Sequence, residues 1–330
     1  MLPVNVEESH ICVGDRFSVF FLRTLRVPED GRTYPLPPGL GEFPIHWVED
    51  YTGSVPPDWL VKGGVFIPLY QREALWLGFE AARWKPNAVK VGVGGINAVS
   101  GADWDEILHS DPQDYLVCPP QPWLDGINTD NGVVRQFVAA PLGLGDTVES
   151  QLTGSEAGGL RLLVFEPRVG QFPDKPPPRS LPAALQTESV TTGAMGLGAG
   201  GKIRQKVYLD PYGLGAWDLQ NFSSVWVHIL NSEQYRAVTG LEPPPTSIDA
   251  RTYTQYGFPW FQLYDEELRD VPAAERLARV KSLRERQAER GNTAGAVDQP
   301  VEVPTPQVRT LGPMDMSRGS ENEGQEPVSE

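Results

Sequence analysis

The chain has 330 residues, of which 43 are acidic and 28 basic, for a formal net charge of −15. That balance argues against nucleic acid as a partner, because phosphate binding needs clustered Lys and Arg, and against anionic membrane surfaces. Thirty-four glycines and 32 prolines predict many turns and short strands, and nine Trp, ten Tyr and twelve Phe suffice for a sizeable core.

The first residues carry no basic region and no long apolar run, so no signal peptide is expected. The longest apolar runs, 17–22 and 64–70, are too short to span a bilayer. No membrane insertion is expected, and the chain reads as cytoplasmic. Cys12 and Cys118 read as small buried hydrophobes in a reducing compartment rather than as a bridge.

Residues 17–27 form a strand candidate closed by Pro28 and the turn at Glu29, Asp30 and Gly31. Residues 32–44 hold four prolines and two glycines, which no helix survives, so an ordered loop or edge segment is expected. Residues 65–79 read as one bent strand or two, with Pro68 at an edge or bulge, and 88–93 as a strand running into a Gly94 turn. Asp103 is a plausible N-cap for a short helix over 103–109.

The densest β signal lies at 113–154. An apolar run at 115–118, a hairpin turn at Asn131 and Gly132, a strand at 133–140 and a further strand at 148–152 read as a meander. A type I′ turn at Asn131 and Gly132 would need positive φ at both residues. A strand follows at 159–166, then a Pro-rich linker or long loop at 168–190. Strands are expected at 203–209 and 223–230, and a helix over 232–239 ended by Gly240. An aromatic cluster holds Tyr253, Tyr256, Phe258, Trp260, Phe261 and Tyr264. Asp270 caps one long helix expected over 270–290, with a stripe of Leu277, Val280 and Leu283. Residues 291–330 hold seven acids and two Arg, a charge of −5, and no aromatic residue, the composition of a disordered tail.

The glycines at 196, 198 and 201, followed by Lys202, imitate both a dinucleotide fingerprint and a P-loop. Ile203 stands where Mg²⁺ would need Ser or Thr, and 203–209 is too short and too β-like to be the phosphate-binding helix. A flexible turn between strands is the better account, and no cofactor is expected. Asp125, Asn128 and Asp130 offer calcium-type oxygens in no EF-hand register, so they stand only as weak metal candidates. Carboxylate catalysis would need a facing pair, with Asp125, Glu149 and Glu73 as the candidates. Arg135 and Gln136 within 133–140, and Arg72 and Glu73 within 65–79, interrupt apolar strands and must either form internal networks or line a pocket. Trp123, Trp260 and Tyr256 could present stacking faces to a ligand; at this density core anchoring is the commoner role for Trp.

Several stretches resemble a group of uncharacterised bacterial and fungal proteins: Arg26 to Gly31, Tyr34 to Gly41, Pro122 to Gly126, Val134 to Ala139, and Gly257 to Phe261. The likeness covers most of residues 10–265 and implies no activity, ligand or catalytic residue.

The resulting expectation is a mainly β protein with an antiparallel sandwich-like body, few short helices, one C-terminal helix and a disordered tail. Its parts are a β-sandwich-like domain at 1–167, the linker at 168–190, a second β-rich part at 191–268 packed on the first, the helix at 270–290 and the tail at 291–330. Three functions fit: a non-catalytic binding or assembly module with a protein partner or self-association, a carboxylate-dependent hydrolase acting on glycans, and a carbohydrate-binding module. A small-molecule or glycan ligand is compatible with each.

Overall fold

A computed structural model describes residues 1–175, 194–246, 248–263, 268–291 and 299–311. The chain is mainly β and mainly antiparallel, with few short helices. Ten strands come before residue 100: β1 (Val4–Glu7), β2 (His10–Val13), β3 (Phe17–Thr24), β4 (Thr33–Tyr34), β5 (Gly39–Glu42), β6 (His46–Trp47), β7 (Val65–Leu69), β8 (Ala74–Ala81), β9 (Asn87–Val93) and β10 (Ile96–Asn97). Helix α1 (Pro57–Lys62) separates β6 from β7. Then follow β11 (Leu116–Cys118), β12 (Trp123–Leu124), β13 (Gly126–Asp130), β14 (Val133–Pro141), α2 (Val148–Thr153), β15 (Leu160–Pro167), β16 (Ala194–Arg204) and β17 (Trp217–Asn231).

Antiparallel pairing runs β1–β2–β3–β8–β14–β16–β17–β15–β9. Strands β4 and β7 join parallel, on β16 and β17. The period-2 pattern decides what faces the core. Leu75, Leu77 and Phe79 of β8, Val89, Val91 and Val93 of β9, Leu160, Leu162 and Val164 of β15, and Val225, Val227 and Ile229 of β17 all enter one buried cluster. The opposite face of β9, β15 and β17 carries a smaller cluster around Leu163, Phe165 and Trp217. Strands β16 and β17 therefore share a sheet and a core with those before residue 168.

Glycines in β16 correct the expected flexible turn. The run 196–201 lies inside the strand: 196–199 pair in register with β14, and Gly200 and Gly201 fall at a bulge opposite Gln136. A Cβ at Gly198 would stand 2.5 Å from Leu283, and one at Gly200 2.5 Å from Val138. The glycines let side chains from other parts of the fold press onto the strand, so the run forms no phosphate loop.

Further expectations are corrected. Residues 148–152 are helical as α2, because Thr147 accepts from the Ser150 N–H at 3.1 Å, Gly154 closes the helix at φ 74°, and Val148 and Leu152 are spaced i,i+4. Residues 103–109 are not a helix: Asp105 turns to Lys90 and to the Ile107 N–H. The 203–209 strand ends at Arg204, and glutamine side chains replace its ladder. Gln121 accepts from the Tyr208 N–H and donates to the Trp123 and Lys206 carbonyls, and Gln113 does the same for Asp210, Tyr115 and Tyr208.

The long helix over 270–290 is two short ones, α5 (Glu275–Ala278) and α6 (Leu283–Glu289), in chain order after α3 (Ser232–Thr239) and α4 (Ala250–Gln255). Ser282 and Glu285 form a capping box that starts α6 afresh, while Asp270 caps nothing and accepts from the Val207 and Gly132 amides. The hairpin at Asn131 and Gly132 is present, with positive φ at Gly132 alone.

Part of the stretch expected as tail is placed on the body. Strand β19 (Val308–Leu311) pairs parallel with β18 (Trp260–Leu263), and Val301 is buried. Residues 312–330, Tyr264 and most of the expected linker lie outside the described residues. Among the described residues, no helix is long and apolar enough to cross a membrane.

Candidate functional site

The turn joining β7 to β8 is where polar residues separate two otherwise apolar strands. The Glu73 N–H donates to the Tyr70 carbonyl at 3.0 Å, and the Glu73 carboxylate accepts from the Tyr70 N–H at 2.9 Å. Both sides of the turn are then stitched to β14. The Arg72 N–H donates to the Ala139 carbonyl at 2.8 Å, and the Ala139 N–H donates to the Glu73 carbonyl at 2.8 Å. These bonds hold Arg72 at φ 68°, in the left-handed region a non-glycine residue rarely occupies. The Arg72 guanidinium donates to Gln287 of α6 at 3.0 Å.

Two buried ion pairs flank the turn. Arg23 Nε donates to Glu73 at 3.3 Å, and the same guanidinium donates to the Pro245 carbonyl, drawing the segment before α4 towards the turn. Arg26 pairs with Glu29, whose second oxygen accepts from the Arg284 N–H at 2.6 Å. Asp249 caps α4, accepting from the Thr252 N–H and hydroxyl at 2.9 and 2.8 Å. Burial raises the Asp249 pKa, but those bonds prevail and hold it below the usual carboxylate range. Burial, and then the Glu73 charge, push the Tyr70 hydroxyl up.

Between these elements lies a cavity of about 250 Å³, lined by Thr24 and Arg26, the 70–74 turn, and Thr246, Ile248 and Asp249. Two arginines and two acidic residues thus line one small space beside Ile248. Ligand pockets commonly run to roughly 300–1,000 Å³, so this one suits a ligand the size of an amino acid or a single sugar ring.

Arg72 and Glu73 are the two residues singled out from the sequence that line this cavity. The others are engaged elsewhere. Glu149 is buried in α2, its oxygens accepting from the Gly95 and Gly158 N–H groups at 2.7 and 3.1 Å. Buried Asp125 exchanges two hydrogen bonds with the Gln205 amide at 2.9 and 3.0 Å. Gln136 clamps a neighbouring segment, accepting from the Val27 N–H and donating to the Leu25 carbonyl. Arg135 donates to Glu285 at 3.3 Å. Trp123 and Trp260 are core residues, the latter donating to the Thr254 hydroxyl, while Tyr256 is exposed and rests near Phe258.

Asp125, Asn128 and Asp130 do not converge on a metal site. The Asn128 amide donates to the Val99 and Pro272 carbonyls, and Asp130 accepts from the Asn131 N–H. A metal-like group does arise at Asp105, His109 and Asp114. The cation there is Lys90, whose buried ammonium lies 2.6 Å from Asp105, 2.7 Å from Asp114 and 2.5 Å from the Ile107 carbonyl. Although burial pushes Asp105 up, hydrogen bonds from Lys90 and His109 outweigh it and bring its pKa down to about 2. Sequence reasoning missed this cluster, though a lysine among the valines of β9 was its signal. Comparison with family models, curated proteins and solved structures finds no match for this chain, which leaves its own geometry as the guide to function.

Proposed function

We propose that this protein is a non-catalytic binding module, and that the cleft between Thr24, the 70–74 turn and Asp249 holds a small polar ligand bearing both donor and acceptor groups. The observation that carries the reading is Arg72. A side chain kept at positive φ on the lining of a cavity, by backbone bonds on both flanks, is strain held where a ligand would meet it. The hydrolase reading is served less well. Asp125, Glu149 and Glu73 engage the Gln205 amide, the Gly95 N–H and the Arg23 guanidinium in turn, which are structural partners. Two free thiols, Cys12 and Cys118, support a reducing, cytoplasmic setting.

The test is thermal and chemical denaturation with a panel of free amino acids, dipeptides, monosaccharides and phosphate. A ligand at a hundredfold excess over its Kd stabilises the folded state by about 2.7 kcal/mol. At least one class should stabilise the wild type and leave Arg72→Gly unmoved. If no class separates the two proteins, the cleft is not a ligand site.

A second reading, docking of a protein partner or a second copy, is favoured by the apolar surface at the same end of the chain. Ile248 on the cleft is exposed, and α4 leads from there to exposed Tyr256 and Phe258. Light scattering across a concentration series tests the self-association form; a monomer at all concentrations removes it.

A further inference from the structure

On the outer face of β9, β15 and β17, cations and indoles alternate. Register sets Gly92 beside Arg161, and Arg161 beside Trp226. Gly92 has no side chain, and a Cβ there would stand 2.5 Å from the Trp104 ring, so the indole lies directly against the strand. Lys90 Nζ is 5.5 Å from the Trp104 centroid. Arg161 Cζ is 5.0 Å from Trp104 and 4.4 Å from Trp226, and Lys62 Nζ is 4.9 Å from Trp226. Three cations and two indoles form one ladder.

The three cations differ in their partners. Lys90 is paired with Asp105 and Asp114, and Lys62 with Asp58 at 3.2 Å. Arg161 has no hydrogen bond or ion pair to any described residue, and its Nε is buried without a partner. The Trp104 indole nitrogen, in the same stacked pair, is also buried without one. Each orphaned donor costs about 1–3 kcal/mol if nothing accepts from it. With indoles against the guanidinium, recognition falls to its edge, whose in-plane donors match the paired oxygens of a carboxylate or phosphate.

We propose that the edge of Arg161 and the indole N–H of Trp104 form an oxyanion site that takes the carboxylate or phosphate group of a ligand, separate from the cleft at Arg72. The Arg161 environment agrees with this. Burial lowers the pKa of the guanidinium, and the charges of Glu106 and Glu149 only partly oppose it, as for a desolvated cation without a contacting counter-ion.

The test is a ¹⁵N–¹H titration of the full chain with sodium acetate and with sodium phosphate, against sodium chloride at matched ionic strength. The Trp104 indole signal is assigned by its loss in Trp104→Phe. Saturable movement of the Trp104 indole N–H and the Arg161 Nε–H with either ion supports the site, and the stronger ion identifies the source. Arg161→Lys keeps the charge and loses the fork, and should weaken affinity about tenfold. Movement no greater than chloride produces, as when water alone serves these donors, overturns the proposal, as does affinity unchanged by Arg161→Lys. If circular dichroism shows that Arg161→Lys does not fold, Trp104→Phe is titrated through the Arg161 Nε–H signal. Unchanged affinity there overturns the proposal, and weakened affinity supports it.

Discussion

Replacing Arg72 by glycine and by alanine separates the strain at the cleft from the contacts made there. The wild-type residue sits at φ 68°, and its hydrogen bonds include one donated to Gln287. A left-handed conformation costs a non-glycine residue about 1–2 kcal/mol. The hydrogen bond contributes about 0.5–1.5 kcal/mol. Arg72→Ala keeps the strain and loses the bond, so it should be about 1 kcal/mol less stable than wild type. Arg72→Gly loses the same bond and adds about 0.5–1 kcal/mol of unfolded-chain entropy, but it removes the strain. It should fall within about 1 kcal/mol of wild type and lie about 1 kcal/mol above Arg72→Ala. Urea denaturation followed by tryptophan fluorescence reads this as a midpoint shift at constant slope. An alanine variant as stable as the glycine variant would refute the reasoning, since nothing at this turn would then be strained.

Lys90→Met leaves two carboxylates without their cation and should cost about 3–5 kcal/mol at pH 7; adding Asp114→Asn should restore part of it, and an additive double variant would contradict the pairing. Glu149→Gln can accept from only one of its two backbone N–H groups, so its denaturation midpoint should correspond to a loss of about 1–3 kcal/mol; a neutral variant would return Glu149 to the catalytic candidates. His46 and His228 flank Phe66 on β6 and β17, and burial lowers both pKa values to about 4. The unfolded chain then binds protons that the folded chain refuses. Stability is fully present above pH 6.5 and is lost as pH falls from 6.5 to 4, by about 3 kcal/mol for buried His228. His228→Gln should flatten that slope by about half in pH-dependent denaturation, and an unchanged slope would exclude His228 as a source.

The strands were legible where short runs of apolar β-formers were bounded by turn residues, as in β9, β15 and the hairpin around Gly132. Helix and turn assignments failed where composition and position disagreed. The glycines of β16 read as a turn because their cause is distant: Leu283 and Val138 press on the strand from residues far away in sequence. Val148 and Leu152 looked β-like, and only the caps at Thr147 and Gly154 marked a helix. Similarly, half of the cleft was legible. Arg72 and Glu73 stood out as polar interruptions, but Thr24 and Asp249 join them only through folding, 48 and 177 residues from Arg72. Of the buried glutamines, Gln136 stood out as a polar interruption of β14, but Gln113 and Gln121 did not, because a side chain replacing a ladder partner from a loop leaves no periodic trace.

Mapping amide shifts while titrating the best ligand of the panel tests the binding reading most directly. Saturable changes should concentrate on Thr24, the 70–74 turn, Thr246, Ile248 and Asp249, and should vanish in Arg72→Gly. Saturable changes centred on other residues, with these amides unmoved, would contradict a cleft built around Arg72.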